Sequence, residues 1–325
     1  MKYLIYSLMV LVLVACGTAS NGSNASEETK TPANQNKMTG YVAKYENGKV
    51  LVAENYIAPQ EEEIPVQELY EKAGNAIYFN LENIDEKVTE SLAIGEKIEV
   101  THGPIAESYP AQSSATEIVR VKDSNHDLVE THGDYENLIK LETFKQAVQD
   151  QQVSHLRFIR YTTEGDPIFY NISYNGSEFN ISSDSRQDSY TGTGDKWNSF
   201  TCKQMENTLT EENNISFDFT NCEQQEDLSF EVPYEKVIVP EQTYQSLEII
   251  VGDQHILKSE DEEKINEVIE QIRTGTPKSA MIMTKMAPAG ELVLKGEKTT
   301  IRFDFYKDGN LLRYNTFIEA GIKVE

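Results

Sequence analysis

The sequence predicts an α+β multidomain protein, in which a small β-barrel-like domain with an OB-like strand pattern is followed by two α+β domains. Five short strand-like runs lie within residues 39–122, and so many short strands in so small a segment favour a barrel. Residues 125–236 and 240–325 each combine helical periodicity with alternating strand-like runs, which is typical of α+β domains. The whole chain of 325 residues is also long for one hydrophobic core.

The barrel-like domain opens with a predicted hairpin. Its strands, 40–46 and 49–54, flank Asn47-Gly48, which is the strongest short-range signal for a two-residue hairpin turn. Three further strand-like runs complete the barrel, at residues 76–79, 97–100 and 117–121. The polar segments 59–65 and 103–114 are interpreted as connecting loops.

The second domain begins with a predicted amphipathic helix over residues 135–149. Its apolar residues recur at helical spacing, as Leu138, Leu141, Phe144 and Val148. Strand-like runs follow at residues 156–162, 168–174, 179–181 and 215–219. Between the last two runs, residues 197–208 are interpreted as a helix that carries Cys202.

The third domain contains a predicted helix that starts at a capping box formed by Ser259 and Glu262. Its buried face is predicted from the spacing of Ile265, Val268, Ile269 and Ile272. Gly275 fits the C-terminal end of the helix. Strands are predicted at residues 247–251, 291–294, 301–305 and 311–317, with a turn at 307–310.

The N-terminus has the pattern of a signal peptide, predicted over residues 1–15. One lysine precedes an apolar run that is too short to cross a bilayer. Cys16 directly follows Leu13-Val14-Ala15, and this resembles the lipobox of bacterial lipoproteins. The resemblance implies cleavage before Cys16 and a diacylglyceryl group on its sulfur. The alternative is a secretory signal in which this cysteine is accidental.

Residues 16–38 are predicted to form a flexible tether behind that lipid. The segment is rich in Gly, Ser, Asn and Thr and almost free of large apolar residues, so it cannot bury enough surface to fold. We therefore expect a protein anchored to the outer face of the cell membrane through the lipid on Cys16. The membrane is thus a predicted partner, and the lipid on Cys16 is the predicted attachment to it.

The charge and the cysteines narrow the classes of function. The chain carries 29 Lys and Arg against 54 Asp and Glu, a net charge of −25, which argues against nucleic acid as a partner. Cys202 and Cys222 remain as a pair once Cys16 is assigned to lipid. We expect them to be bridged, because disulfides persist outside the cytosol.

No motif indicates a catalytic residue, a metal site or a cofactor, so the candidate residues are candidates for binding. Glu164 and Asp166 flank a glycine ahead of a strand, with Arg160 nearby. This run is either an ordinary turn or a binding loop. Tyr109 lies on a loop of the barrel-like domain, where it either binds a partner or packs under its own loop.

Several motifs resemble known families. Gly40-Tyr41-Val42, residues 76–79 and the loop motifs at 102–105 and 107–111 resemble a YobA-like domain-of-unknown-function family of Bacillus lipoproteins. A His132-Gly133 pair, the run T-x-E-G-D-P-I at 162–168 and two later cysteines resemble a second lipoprotein family of unknown function. Residues 240–325 look like small YhfM-like lipoprotein domains. The resemblance implies a Gram-positive, Bacillus-type envelope lipoprotein and no particular activity.

The function expected from the sequence is therefore that of a non-enzymatic binding or accessory lipoprotein of the cell envelope. Its partner would be an envelope protein or a small ligand. One alternative is an envelope hydrolase that uses carboxylates near Glu164 and Asp166. Another is the solute-binding component of a transporter, which would require two parallel α/β lobes.

Overall fold

The computed structural model describes residues 36–59, 64–194, 196–223, 228–280 and 287–323, and these form a strand-rich α+β protein with few helices and several sheets. The predicted signal peptide, Cys16 and all but the end of the predicted tether lie outside the described residues. None of the described helices combines the length and the apolar character that a membrane span requires.

The N-terminal part is a closed five-stranded barrel with the strand order β1-β2-β3-β5-β4. Its strands are β1 Asn36–Glu46, β2 Lys49–Ala53, β3 Ala76–Asn80, β4 Lys97–His102 and β5 Ala111–Arg120. The pair β3–β5 is parallel, and antiparallel pairing of β1 with β4 closes the barrel. The predicted OB-like barrel is therefore confirmed.

Two helices accompany the barrel, α1 at Val66–Ala73 and α2 at Glu86–Ser91. Helix α1 lies on the outside of the first strands, where Leu69 and Ala73 pack with Ala43, Leu51 and Ala53 in a small apolar cluster. The alternate residues Val50 and Val52 point to the barrel interior. Strand β2 is thus buried on both faces, which is why it is apolar almost throughout.

The interpretation of residues 103–114 as a loop is wrong for its last part, because β5 begins at Ala111. Phe79 of β3 pairs in parallel with Ser113. The Ser113 hydroxyl donates to the carbonyl oxygens of Gly103 and Pro104, at 3.0 and 3.1 Å. Small polar residues form this half of the strand, so the sequence pattern resembles a loop while distant β3 supplies the pairing.

The second segment, which corresponds to the predicted domain at residues 125–236, contains two sheets. A six-stranded sheet has the order β11-β10-β9-β8-β6-β7, and a three-stranded sheet has the order β12-β13-β14. The first sheet comprises β6 Leu128–Thr131, β7 Asp134–Glu136, β8 Ser154–Tyr161, β9 Pro167–Tyr174, β10 Phe179–Asp184 and β11 Trp197–Cys202. The second comprises β12 Gln204–Leu209, β13 Asn214–Thr220 and β14 Leu228–Pro233.

Helix α3 spans Leu138–Gln149 and is the helix predicted from the apolar spacing, starting three residues later than predicted. The later start follows from strand pairing, because Asp134–Glu136 forms β7 against β6. Leu141 and Phe144 are buried in the core of this segment.

The predicted helix at residues 197–208 is wrong, because this stretch forms β11 and β12. Trp197 and Phe200 are three residues apart, a spacing that also suits a helix, but the burial alternates as it does in a strand. Phe179 of β10 pairs with Cys202. The predicted disulfide between Cys202 and Cys222 is present, and it joins the end of β11 to the residues after β13.

The third segment is a seven-stranded antiparallel sheet with the order β16-β15-β18-β19-β20-β21-β17. Its strands are β15 Tyr244–Val251, β16 Gln254–Ser259, β17 Thr276–Ser279, β18 Gly290–Gly296, β19 Thr300–Phe305, β20 Leu311–Arg313 and β21 Thr316–Glu319. The predicted strand at 311–317 is therefore two strands, because a turn at Tyr314-Asn315 interrupts it.

Two helices complete the chain, α4 at Tyr234–Val237 and α5 at Glu262–Thr274. The predicted buried face of α5 is confirmed, and Gly275 follows its last residue. The predicted capping box is wrong. Asp261 is the N-cap and accepts the backbone N–H of Lys264 at 3.0 Å, while Ser259 ends β16.

The second and third segments share one hydrophobic core. A continuous cluster of buried apolar side chains extends from Leu128 to Ile322. Val237, Ile238 and Val239, at the predicted boundary between these segments, are themselves buried. The two segments are therefore packed against each other through a common core.

Candidate functional site

The three candidate residues around the turn of the second segment have separate partners. The Arg160 Nε lies 3.2 Å from the Glu130 carboxylate. The Asp166 carboxylate accepts the backbone N–H of Ser189 at 2.8 Å. Glu164 is exposed, and among the described residues its carboxylate accepts a hydrogen bond only from the hydroxyl of neighbouring Thr163. The turn is thus held by local hydrogen bonds, and the cavities described below are lined by other residues.

Tyr109 is presented on the surface of the barrel. Its side chain is 87% exposed, and its ring contacts the ring of Tyr70 on α1 edge-on, with 5.9 Å between centroids. The loop that carries it joins β4 to β5, and loops of this kind adjoin the binding face of OB barrels. Because α1 covers the outer face of β1 to β3, Tyr109 remains a candidate contact at the margin of that face.

The boundary between the barrel and the six-stranded sheet is built on buried charges. Arg120, the last residue of β5, places its Nε 2.5 Å from the carboxylate of Glu96. The same guanidinium pairs with Asp184 at the end of β10 and donates to Ser91 of α2 at 2.8 Å. Glu96 has no exposed surface at all, so this ion pair is fully removed from water.

A second arginine reinforces this boundary from the sheet side. Arg157 of β8 donates to the Val121 carbonyl at 2.8 Å and lies 3.5 Å from the Asp127 carboxylate. Burial by itself raises the pKa of Glu96, but Arg120 and Arg157 outweigh it and hold the pKa below its usual value. For Asp127, burial outweighs the attraction of Arg157 and raises the pKa to about 6.

A cavity of about 500 Å³ lies beside these charges, and we call it the barrel-side cavity. His155 of β8 lines it, and the ring Nε2 of this histidine is buried without a hydrogen-bond partner among the described residues. Burial is the main cause that lowers the pKa of His155 to about 4, with Arg157 adding to it and Glu96 opposing it. The ring is therefore neutral at pH 7.

A second cavity, of about 320 Å³, lies between α3 and the seven-stranded sheet, and we call it the α3 cavity. Its lining from α3 includes Glu142 and Lys145, and its lining from β19 to β21 includes Asp304, Arg313 and Tyr314. It therefore unites residues of the second and third segments in one cleft.

The floor of the α3 cavity is a buried cluster. The Glu142 carboxylate accepts from the Arg313 guanidinium and from the Tyr314 hydroxyl. Arg313 also donates to the Ile238 carbonyl at 2.9 Å. Burial raises the pKa of Glu142, but Arg313 and these hydrogen bonds outweigh it and lower the pKa below its usual value. All three polar groups of the floor are thus already satisfied.

The backbone at this floor is unusual. Tyr314 and Asn315 have φ values of 54° and 53°, as the two central residues of a type I′ hairpin turn require. Asn tolerates this left-handed region well, whereas a bulky tyrosine rarely adopts it. The buried hydroxyl of Tyr314 and its contact with Glu142 keep the residue there, at a cost of about 1–3 kcal/mol.

Two charged side chains on the walls of the α3 cavity have no ionic partner among the described residues. The Nζ of Lys145 lies 3.6 Å from the centroid of the Tyr314 ring, and burial, aided by Arg313, lowers its pKa to about 7. The carboxylate of Asp304 has no hydrogen bond within the described part of the chain. Asp304 is exposed, and partial desolvation raises its pKa, with Glu291 adding to the shift.

None of the site residues predicted from the sequence lines either cavity. One signal was present, because Lys145 lies four residues after Leu141 and three before Val148, within the apolar stripe of α3. A lysine at such a position is either partly buried or lines an opening. Within the described ranges, no three His, Cys, Asp or Glu side chains gather as the ligands of a metal ion would.

Two family models of unknown function each match a part of the chain. Residues 39–122 match the model of the family described as "Protein of unknown function (DUF3221)". Residues 125–215 match the family described as "Domain of unknown function (DUF4362)". The prediction of a YobA-like domain-of-unknown-function family is confirmed. The likeness of residues 240–325 to YhfM-like domains stays a prediction.

Two solved structures of YobA from Bacillus subtilis are similar to part of the chain. The crystal structure is 26% identical, with 27% of this chain and 95% of that chain covered and a TM-score of 0.24. The solution NMR structure is 25% identical, with 31% of this chain and 90% of that chain covered and a TM-score of 0.24. A search of curated proteins found no match to the chain.

Replacing Arg120 by alanine should destabilise the protein strongly, because the Glu96 carboxylate would stay buried without its main partner. We expect a loss of about 3–5 kcal/mol in the free energy of unfolding, measured by urea denaturation. Lys72→Ala is the matched control. It removes an exposed pair with Glu68 and should cost about 0.5 kcal/mol or less. Equal losses in the two variants would contradict the role of the buried network.

Acid should weaken the fold through His155. The pKa is about 4 in the folded chain and about 6.5 in the unfolded chain, so the unfolded chain binds more protons between these values. Stability therefore decreases as the pH falls through this window, by up to about 3 kcal/mol. Asp127, whose pKa is raised, acts in the opposite direction between about pH 4 and 6.

The His155 contribution is isolated by comparing variants. His155→Gln should flatten the decrease in urea midpoint between pH 7 and pH 4.5, whereas His132→Gln, at an exposed turn, should leave it unchanged. If wild type and His155→Gln lose stability in parallel over this range, His155 does not titrate as described.

Proposed function

We propose that this chain is a lipid-anchored, extracytoplasmic protein of the cell envelope with a non-enzymatic binding or accessory role. The observation that carries the proposal is the disulfide between Cys202 and Cys222. Disulfides persist in oxidising compartments outside the cytosol and are rare within it. With this pair bridged, Cys16 is the third and last cysteine of the chain, and it stands in the lipobox-like run Leu13-Val14-Ala15-Cys16.

A lipid on Cys16 would be the whole attachment to the membrane. The net charge of −25 opposes binding to anionic lipid headgroups. Stable anchoring requires two membrane signals, and the two acyl chains of a diacylglyceryl group meet that requirement. The body of the protein would then be held near the membrane without inserting into it.

The geometry of the carboxylates favours binding over hydrolysis. Carboxylate pairs that hydrolyse glycosides flank the scissile bond within one cleft. Asp166 is instead occupied by the backbone of Ser189, and Glu164 is exposed at a turn. These two residues therefore support no hydrolase.

The sheet topology also disfavours a solute-binding component built from two parallel α/β lobes. Among the described strands, the parallel pairs are β3–β5 and β6–β8, and the other pairs are antiparallel. A fold of this kind has no hinged pair of parallel lobes to close around a solute. An accessory or binding role remains the best supported function.

Cys16→Ala should abolish anchoring when the chain is expressed in a Bacillus-type host. We expect wild-type protein to incorporate labelled palmitate and to partition into the detergent phase of Triton X-114, and the variant to do neither. The double variant Cys202→Ser, Cys222→Ser is the control, because it changes the other sulfurs and should keep the label. A Cys16→Ala chain that stays lipid-labelled would overturn the proposed anchor.

The accessory role is tested at Tyr109. A photoreactive phenylalanine analogue at this position, irradiated in intact cells, should yield one reproducible adduct with a neighbouring envelope protein. The same analogue at Tyr190 is the matched control, since the two tyrosines are 87% and 76% exposed but lie on different segments. Adducts of equal pattern at both positions, or none at either, would argue against a binding surface at Tyr109.

A further inference from the structure

The α3 cavity presents opposite charges that do not neutralise one another. Lys145 on α3 and Asp304 on β19 both line it. Neither has an ionic partner among the described residues, whereas Glu142 and Arg313, which are buried in the same cavity, pair with each other. Their surroundings differ as well, since the charges that shift the pKa of Lys145 are Arg313 and Glu142, and the charge that shifts that of Asp304 is Glu291. The cavity is therefore lined by one cationic and one anionic side chain that have no ionic partner among the described residues.

Lys145 is arranged to meet an incoming anion. Its Nζ rests on the face of the Tyr314 ring at 3.6 Å, a contact that holds the ammonium in place without satisfying its three donors. The nearby carboxylate of Glu142 is already engaged by Arg313 and Tyr314. The carboxylate of a bound ligand would supply a hydrogen-bond acceptor for the Lys145 ammonium.

Asp304 is arranged to meet an incoming cation. Its neighbour Glu291 lies 3.1 Å from the guanidinium of Arg302 and is thereby compensated, but Asp304 itself has no cationic partner in the described part of the chain. Asp304 is exposed, but partial desolvation, with the nearby Glu291 adding to it, still penalises its negative charge. An ammonium group would relieve both effects.

The size and the mixed charge of the cavity select the ligand class. A simple anion would be repelled by Asp304 and a simple cation by Lys145, because the nearby Glu291 and Arg302 are paired with each other. A volume of about 320 Å³ holds on the order of ten water molecules and lies at the small end of ligand sites. The side-chain amides of Gln146 and Asn315 also line the walls, and their nitrogens already donate to the Asp150 carboxylate and the Asn207 carbonyl.

We propose that the α3 cavity binds a free amino acid as its zwitterion, with the ligand carboxylate on Lys145 and the ligand ammonium on Asp304. This inference deepens the proposed binding role and rests on it. Every residue it uses lies between 142 and 315, so it does not depend on the lipid anchor. The ligand would bridge α3 and the seven-stranded sheet.

The experiment is isothermal titration of the full-length protein in detergent with each common L-amino acid. We expect at least one to bind with one-to-one stoichiometry. Two matched probes then test each end of that ligand, because its amide lacks the carboxylate and its N-acetyl form lacks the ammonium. Both should bind about tenfold more weakly or worse, since each loses a charge-assisted hydrogen bond.

Two variants test the protein side. Lys145→Met and Asp304→Asn should each weaken binding about tenfold or more, while Lys140→Met, on the same helix but lining the barrel-side cavity, should leave it unchanged. Removal of a poorly solvated charge should keep the melting temperature of Lys145→Met at or above that of wild type, so loss of binding cannot be ascribed to unfolding.

A proton balance gives a separate readout. Near pH 7.5, binding of a carboxylate to Lys145 should take up protons, seen as a dependence of the binding enthalpy on the buffer, and Lys145→Met should abolish this uptake. The inference is overturned if no amino acid binds, if the N-acetyl form binds as well as its parent, or if Lys145→Met binds like wild type. None of these results would affect the Cys16 experiment, whose failure would remove the anchor alone.

Discussion

The architecture depends on the neutralisation of one buried guanidinium. Arg120 ends the barrel, and the groups that compensate it come from three other places in the chain, namely Glu96, Asp184 and Ser91. A buried pair of this kind adds little net stability, because desolvation offsets most of the attraction, but removal of one partner is costly. Its effect is therefore orientational. The barrel and the six-stranded sheet must meet in the arrangement that brings these groups together. Arg157, which lines the barrel-side cavity, lies 3.8 Å from the Glu96 carboxylate of the same contact.

Helix α3 has an equivalent position at the other end of the molecule. Its apolar residues enter the core that the second and third segments share, while Glu142 and Lys145 of the same helix face β20 and the turn that follows it. In the floor of the cavity, Glu142 is paired with Arg313 and accepts from Tyr314. On the walls, Lys145 and Asp304 have no ionic partner among the described residues. The cavity is consequently a product of two segments, and neither would create it alone.

Local patterns in the sequence were sufficient for the elements whose signals are local. The hairpin at Asn47-Gly48, the apolar stripes of α3 and α5, and the disulfide all follow from spacing or composition. The first half of β5 was missed because its partner, β3, lies some thirty residues away and its own residues are small and polar. Strand β11 was misread because the three-residue spacing of Trp197 and Phe200 suits one face of a helix, whereas in a strand these two side chains lie on opposite faces. The cavities were missed because their residues are far apart in the sequence. Arg313, for example, is paired with Glu142 only in the folded chain.

Helix α1 has a consequence for how the barrel can change. Leu69 is 2% exposed and Ala73 is fully buried against the outer face of β1 to β3. Uncovering that face would return these side chains to water, at about 2 kcal/mol for the leucine alone. A second copy of the chain could contact the outer face of β2 and β3 only after helix α1 had been displaced from it. New specificity on this barrel can therefore arise at the rim, through residues such as Tyr109, by single substitutions, whereas access to the face itself requires the loss of an entire element.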